Sequence, residues 1–316
     1  MTPSAYPGPS VCGHETDAPL SRVAQISVHT SPLATLGGTD AGGMNVYVRE
    51  LACHLARLGL PTDVFTRRTN PATPDVVPLC PGVNVVAVDA GPPGPLPKAD
   101  LFPLLPEFAT NVARYADRAG LRYDAIHAHY WLSGWVAHLL QPAWDVPFVQ
   151  MFHTTAHMKN AVNPAADHEP ELRLRTERRL LDLADGLIAA SPDERADLIE
   201  SFGTPAAKVC TIPPGVDLDL FRPGDQAEAR AALELPPHDP VVLFVGRVDP
   251  IKGIDTLLDA HALLDGDQSL PAKPLLLFVG GDLDPDGAPT GPLAAVAGRA
   301  NGLGVAGRVH FVGSRP

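Results

Sequence analysis

Short apolar runs recur along this chain, and most of the intervals between them carry the apolar spacing of a helix face. RVAQISVHT (22–30), TDVFTRR (62–68), VNVVAVDA (83–90), AIHAHY (125–130), PFVQMFHT (147–154) and GLIAAS (186–191) read as strands, with KVCTIPPG (208–215) closing the series. Tyr47, Leu51, Leu55 and Leu58 lie at i, i+4, i+8 and i+11, one side of a helix, with Gly59 placed to end it. An apolar helix is predicted around 134–140 and a charged one over 169–185. Ser191-Pro192-Asp193-Glu194 opens a further helix with a capping hydroxyl, a proline at the first position and an acid at the third. Strands separated by helices can pair only in parallel, through crossovers that cover both faces of the sheet. The fold class is therefore α/β.

The stretch PPGVDLDLFRPGDQ (213–226) reads as a linker, and beyond it the pattern restarts. VVLFVGRV (241–248), LLLFVGGD (275–282) and RVHFVGS (308–314) are strands, separated by helices at 253–264 and 292–302. Two Rossmann-like domains are expected, 22–222 and 238–316, after a loose Pro/Gly/Ser-rich segment at 1–21. A length of 316 residues suits two domains. The second is expected to be incomplete, because 238–316 is about half of what a doubly wound domain takes.

Composition excludes several classes. Hydrophobic residues make up 45% and charged residues 19%, which suits packed cores and not a disordered polymer. The net charge of −12 opposes binding to nucleic acid or an anionic membrane. The N-terminal stretch lacks a basic segment followed by an apolar one, and no apolar run reaches about 18 residues. The expectation is a cytoplasmic protein with no membrane span. Cys12, Cys53, Cys80 and Cys210 are far apart with no CxxC spacing, so they read as buried thiols in a reducing compartment, not as a disulfide frame or zinc site.

Open α/β sheets bind ligands where strands end and helices begin, and four segments there have unusual composition. Gly37 to Asn45 (GGTDAGGMN) offers close backbone approach and the free N–H groups of a helix start, which suits a phosphate or a cluster of sugar hydroxyls. It is neither a P-loop nor a GxGxxG fingerprint. His127-Ala128-His129-Tyr130-Trp131 and His153-Thr154-Thr155-Ala156-His157 end two further strands. His129, His153 and His157 could be read as a zinc set, but Thr154 stands where HExxH needs its glutamate. His127 and His157 read as satisfied half-buried imidazoles. In the fourth segment, Arg247 and Lys252 are five apart at a helix start and can converge on one diphosphate, although a single Arg or Lys is more often a solvated surface cation.

The strings DAGGMNVYVRELACHLARLG, HAHYWLSG, FHTTAHMKN, PPGVDLDLF and FVGRVDPIKG stand in the order typical of family 4 retaining glycosyltransferases, and the resemblance runs from about residue 22 to 316. GGMN with VYV, and HYWLSG, are most similar to the branch that joins N-acetylglucosamine to inositol phosphate in mycothiol synthesis. Sucrose synthases more often carry GGQ where Met44 stands here. The resemblance implies the GT-B fold, two Rossmann-like domains facing a cleft. It implies a UDP-sugar as co-substrate, best UDP-N-acetylglucosamine, a small hydroxyl acceptor, no required cofactor, no indicated Mg2+, and compatibility with a homodimer. Gly42, Gly43 and Asn45, with Arg247 and Lys252, would bind the donor. Asn45, Lys98, Tyr130, Thr154 and Arg173 would hold the acceptor and its phosphate. His153, Arg247 and Lys252 would assist the chemistry, His153 beside the anomeric carbon and the two cations on the departing diphosphate. A sucrose- or sucrose-phosphate-synthase-like transferase, or an inactive acceptor-binding fragment, are the alternatives. The resemblance places the family's E-x7-E motif in the half of the second domain that is expected to be missing, which weakens the expected donor grip.

Overall fold

The structure is a computed structural model, and it describes residues 19–34, 42–162, 169–249 and 252–315. The predicted loose segment and most of the glycine-rich loop, residues 35–41, lie outside the described residues. The chain divides into two units: the first takes the residues up to Ala34 and Gly43–Gly215, and the second takes Gly42 and the residues from Val216 onward.

The first unit carries an eight-stranded sheet in the order β3-β4-β2-β1-β5-β6-β7-β8. Its strands are β1 (Val23–Ile26), β2 (Thr62–Arg67), β3 (Val76–Cys80), β4 (Val83–Val88), β5 (Ala125–His129), β6 (Phe148–Met151), β7 (Gly186–Ala189) and β8 (Val209–Thr211). All pairings are parallel except β3 with β4. Strand β3 escapes a sequence reading because Pro78 interrupts it. A proline is tolerated there because β3 is an edge strand with a register shift beside it. The central strands read as continuous apolar runs because helices cover both faces.

Among the described residues, the α-helices between these strands are α1 (Gly43–Arg57), α2 (Lys98–Leu101), α3 (Leu105–Ala119), α4 (Tyr130–Trp144), α5 (Ala156–Val162), α6 (Glu171–Leu183) and α7 (Pro192–Glu200). The main core packs Phe108 and Val112 of α3, Leu132 and Val136 of α4 and Leu180 of α6 with Ile26, Ile126 and Phe148 of the sheet. A second cluster seats Val48 and Ala52 of α1 on Val64, Val83 and Val85. Gly59 ends α1 in the left-handed region at φ 88°, as the pattern predicts. Ser191 caps α7 through a 3.1 Å bond from the Glu194 amide. Glu194 reaches back to the amide of Ala190, one residue before the expected partner, at 2.7 Å.

The reading of the cysteines as free thiols is corrected. Cys53 on α1 and Cys80 on β3 form a disulfide with their Cα atoms 6.1 Å apart, and Cys210 is disulfide-bonded as well. Separation along the chain gave no hint of this, because it is the packing of α1 across β2 and β4 that brings the edge strand beneath Cys53. The inference of a reducing compartment loses its ground. The Cys53–Cys80 bridge closes a 27-residue separation, and chain-entropy arguments give such a loop about 3 kcal/mol of stabilisation. The double variant C53S/C80S is expected to lose roughly that amount in urea denaturation; an unchanged midpoint would show that the bridge contributes nothing.

The second unit contains α8 (Gln226–Ala232), β9 (Val241–Val245), α9 (Ile254–Gly266), β10 (Leu275–Val279), α10 (Gly291–Gly302) and β11 (Val309–Gly313). Its three strands pair in parallel in the order β11-β10-β9. Helix α8 begins inside the segment predicted as a linker, capped by Asp225. Leu258, Leu276, Phe278 and Leu293 form the core of this unit. Leu243 and Val245 on β9 stay exposed, as do Val216, Leu218, Leu220 and Phe221 before it.

Candidate active site

The strand order fixes where a ligand site can be built. From β1 the chain winds outward to β2 and β4, then returns to lay β5 on the other side of β1. The carboxyl ends of β1 and β5 therefore flank a topological switch point, where outgoing loops separate and leave a crevice. His29 follows β1, His129 ends β5, and His153 follows β6. Three of the site's four principal segments thus start at adjacent strand ends, and α1 supplies the fourth. A cavity of about 530 Å³ lined by Arg22, Pro61, Pro78, Gly82 and Asn84 lies at the opposite ends of the strands, away from this chemistry.

Two residues here hold strained backbone. Tyr130 has φ 75° and His153 φ 61°, the left-handed region that non-glycine side chains disfavour. Each turns the chain sharply from a strand end into the next segment. Gln150 supports the first turn, donating to the Tyr130 carbonyl at 3.3 Å and to that of Met151 at 3.0 Å. The motif glycine Gly134 leaves room for it: a Cβ there would stand 2.2 Å from the Gln150 Oε1.

The aromatic and cationic side chains converge. The Arg173 guanidinium lies 4.7 Å from the centre of the Tyr130 ring. It donates from Nη2 to the Thr154 carbonyl at 2.6 Å and from Nε to Glu177 at 2.7 Å, and its Nη1 is 2.9 Å from Glu169. Lys159 also bonds Glu169. Burial disfavours charge on Glu169, but Lys159 and Arg173 outweigh it and its carboxyl titrates below the usual range. In Glu177 burial dominates over Arg173 and the carboxyl is pushed up. The His29 ring lies 4.5 Å from that of Tyr130, tilted by 41°. Burial, with the charges of Lys98, His153 and Arg173 added, holds His29 down to about 3. Lys98, Tyr130, Thr154 and Arg173, drawn from three strand connections and α6, therefore form one neighbourhood with His29.

Beside it lies a group of imidazoles. His129 Nδ1 and His153 Nε2 are 3.1 Å apart, and the His127 ring lies 4.2 Å from that of His129. Tyr47 of α1 sets its ring edge-on to both His129 and His153, at 5.9 and 5.2 Å. Burial lowers His127 to about 3, His153 to about 4 and His129 well below its ordinary value, so all are neutral at pH 7. Asn45 is buried at the start of α1 and donates to the Ser31 carbonyl at 2.7 Å. Gly43 is exposed and Gly42 half-buried at the same helix start.

Arg247 and Lys252 belong to the second unit. Both are exposed; Arg247 pairs with Asp249 at 3.9 Å, and the Lys252 amide donates to the Asp249 carbonyl at 2.9 Å. The strand ends here approach so closely that a Cβ on Gly280 would lie 1.9 Å from the Gly246 carbonyl oxygen, directly before Arg247. No group of three or more His, Cys, Asp or Glu side chains among the described residues could hold a metal ion, and His157 faces Asp197 at 3.7 Å instead of joining His129 and His153. No helix among the described residues is long and apolar enough to cross a membrane.

Sequence reasoning missed His29, Tyr47 and the carboxylates Glu169 and Glu177. The first was legible, since SVHT sits at the end of β1; the others reveal themselves only through packing.

The model of Glycosyltransferase Family 4 matches residues 41–220, more than half of the chain. The chain belongs to this family. It is 44% identical over 299 residues to the D-inositol 3-phosphate glycosyltransferase of Mycobacterium ulcerans, covering 94% of this chain and 62% of that protein. D-inositol 3-phosphate glycosyltransferase 2 of Catenulispora acidiphila is 44% identical over 294 residues, covering 92% and 68%. The chain thus spans about six tenths of the length of the first of these relatives. Among solved structures, a sucrose-phosphate synthase from Thermosynechococcus elongatus superposes with a TM-score of 0.80 at 37% identity, covering 93% of this chain and 71% of that one. Anabaena HepE in complex with UDP and glucose shares the fold at 20% identity, with a TM-score of 0.62. The GT-B architecture and the family resemblance expected from the motifs are borne out.

Proposed function

We propose that this chain carries the acceptor side and part of the donor side of a retaining glycosyltransferase that moves a sugar from UDP, best N-acetylglucosamine, to an inositol phosphate. The observation that supports it most is the grouping of Lys98, Tyr130, Thr154 and Arg173 about two strained strand ends. A phosphate monoester needs fixed cations and directed donors in one place, and backbone strain is retained where a site requires it. The relatives named for inositol phosphate transfer point the same way. Arg173 enters with three of its N–H groups already bonded to Glu169, Glu177 and Thr154. Its planar fork is therefore immobilised, and Lys98 is the second cation proposed to bond the phosphate.

In the proposed reaction the bond between the anomeric carbon and the UDP oxygen breaks. The acceptor hydroxyl oxygen bonds the same carbon from the same face, and its proton passes to the leaving phosphate oxygen. Arg247 and Lys252 would stabilise the negative charge that grows on the diphosphate. His153 and Asn45 would line the sugar beside α1.

Isothermal titration in the presence of UDP tests the acceptor. An inositol phosphate is expected to bind, and Lys98→Ala to weaken it by about tenfold to a hundredfold, the value of one charge-assisted bond. The structural likeness to a sucrose-phosphate synthase supports a second reading, in which a phosphorylated hexose is the acceptor. Tighter binding of a ketohexose phosphate than of an inositol phosphate would decide for it, and indifference to Lys98→Ala would remove the phosphate clamp from both.

A further inference from the structure

The hydrogen bond between His129 and His153 carries information about which nitrogen of His153 holds its proton. Two neutral imidazoles can share one bond only if one donates and the other accepts. The bonded atoms are His129 Nδ1 and His153 Nε2. The remaining nitrogen of His129, Nε2, is fully buried and has no hydrogen-bond partner. The remaining nitrogen of His153, Nδ1, belongs to a half-buried side chain and is not among the fully buried, unpartnered atoms.

Two arrangements satisfy the bond. In one, His153 donates from Nε2, and His129 must then carry its proton on the buried Nε2, leaving an N–H with nothing to receive it. In the other, His129 donates from Nδ1, so that its buried Nε2 is a bare lone pair and His153 carries its proton on Nδ1. An orphaned buried N–H is rarer than an orphaned acceptor, so the second arrangement is favoured.

We infer that His129 is a positioning residue, which donates from Nδ1 to His153 Nε2 and so fixes His153 in the tautomer that presents an Nδ1–H to a ligand oxygen. The geometry around the pair leaves little alternative motion. The backbone of His153 is held at φ 61°, the Tyr47 ring stands edge-on to both imidazoles, and His129 is wholly buried at the end of β5. That the oxygen belongs to a sugar hydroxyl rests on the transferase reading above. The tautomer itself rests only on contacts within the first unit.

Two-bond ¹H–¹⁵N correlation spectra of the histidine-labelled chain at pH 7 read the tautomers directly, with His153→Gln used for assignment. His153 is expected to show a protonated Nδ1 and a bare Nε2, and His129 the same pattern. His129→Asn keeps an amide donor near the position of Nδ1 and is expected to leave the His153 pattern intact. His129→Phe removes the donor and is expected to move the proton of His153 toward Nε2. A His153 proton on Nε2 in the native chain, or a pattern unmoved by His129→Phe, overturns the inference. Should His129→Phe fail to fold, the native and His129→Asn spectra suffice, since each alone shows which nitrogen is protonated. The assigned tautomers uphold the inference even if the chain binds no sugar nucleotide, a result that would tell against the transferase reading instead.

Discussion

Replacing Arg173 with methionine is expected to remove about 3–5 kcal/mol of stability, the cost of leaving buried charge without its partner. The guanidinium is 3% exposed and the Glu177 side chain 2%, and they bond at 2.7 Å. Glu177 also accepts from the Ala156 amide at 2.7 Å, so it ties the start of α5 to α6. Without Arg173, Glu177 must either stay charged in an apolar surround or take up a proton, and burial already pushes its carboxyl up. Glu169 loses its 2.9 Å partner and keeps Lys159. Thr154 loses a donor to its carbonyl directly beside the strained His153. Urea denaturation of R173M against the native chain measures the loss. The double variant R173M/E177M is expected to recover much of it, because replacing both members of a buried pair with apolar groups is often close to neutral. An R173M chain as stable as the native one would show that the guanidinium is not an anchor of this site.

That expectation separates two roles the sequence cannot tell apart. An arginine at 173 on a predicted charged helix has a surface cation as its ordinary fate, and only the fold shows it drawn inward onto Tyr130. What was legible was set by local chemistry. The alternation of apolar runs fixed the parallel sheet, Gly59 marked the end of α1, and Ser191 with Glu194 marked the start of α7. Strand β3 was not legible, because a proline in a short edge strand resembles a loop. The Cys53–Cys80 bridge was hidden because it depends on how α1 crosses the sheet, a tertiary fact with no local signature. At the site, the motifs marked the strand ends correctly while their mutual arrangement stayed out of reach. Strain at Tyr130 and His153 leaves no trace in composition, since neither position carries the glycine that would announce it.

The imidazole group makes the fold acid-sensitive well above the range in which carboxylates titrate. His127 is lowered to about 3 and His153 to about 4, both chiefly by burial, and His129 lies well below its ordinary value for the same reason. The folded chain keeps these rings neutral while the unfolded chain binds a proton on each below about 6.5. Their contribution to stability is therefore fully present above that pH and is lost as pH falls through the window from about 6.5 toward 4 and 3. Between pH 7 and 5.5 each ring forfeits roughly 1.2 kcal/mol, so the three together forfeit on the order of 3–4 kcal/mol. His29, held down to about 3, adds in the same direction. Glu177 and Glu194 act oppositely: burial raises both, so the folded chain takes up their protons first and gains relative stability as pH falls toward the ordinary carboxylate value. Two carboxyls offset part of the loss from four imidazoles. Denaturant midpoints at pH 7 and 5.5, at constant ionic strength, should drop accordingly, and His127→Leu should shrink the difference by about one ring's share. Equal stability at the two pH values would mean that these imidazoles are hydrated in the folded chain, and the dry, neutral character argued for the His129–His153 pair would fall with it.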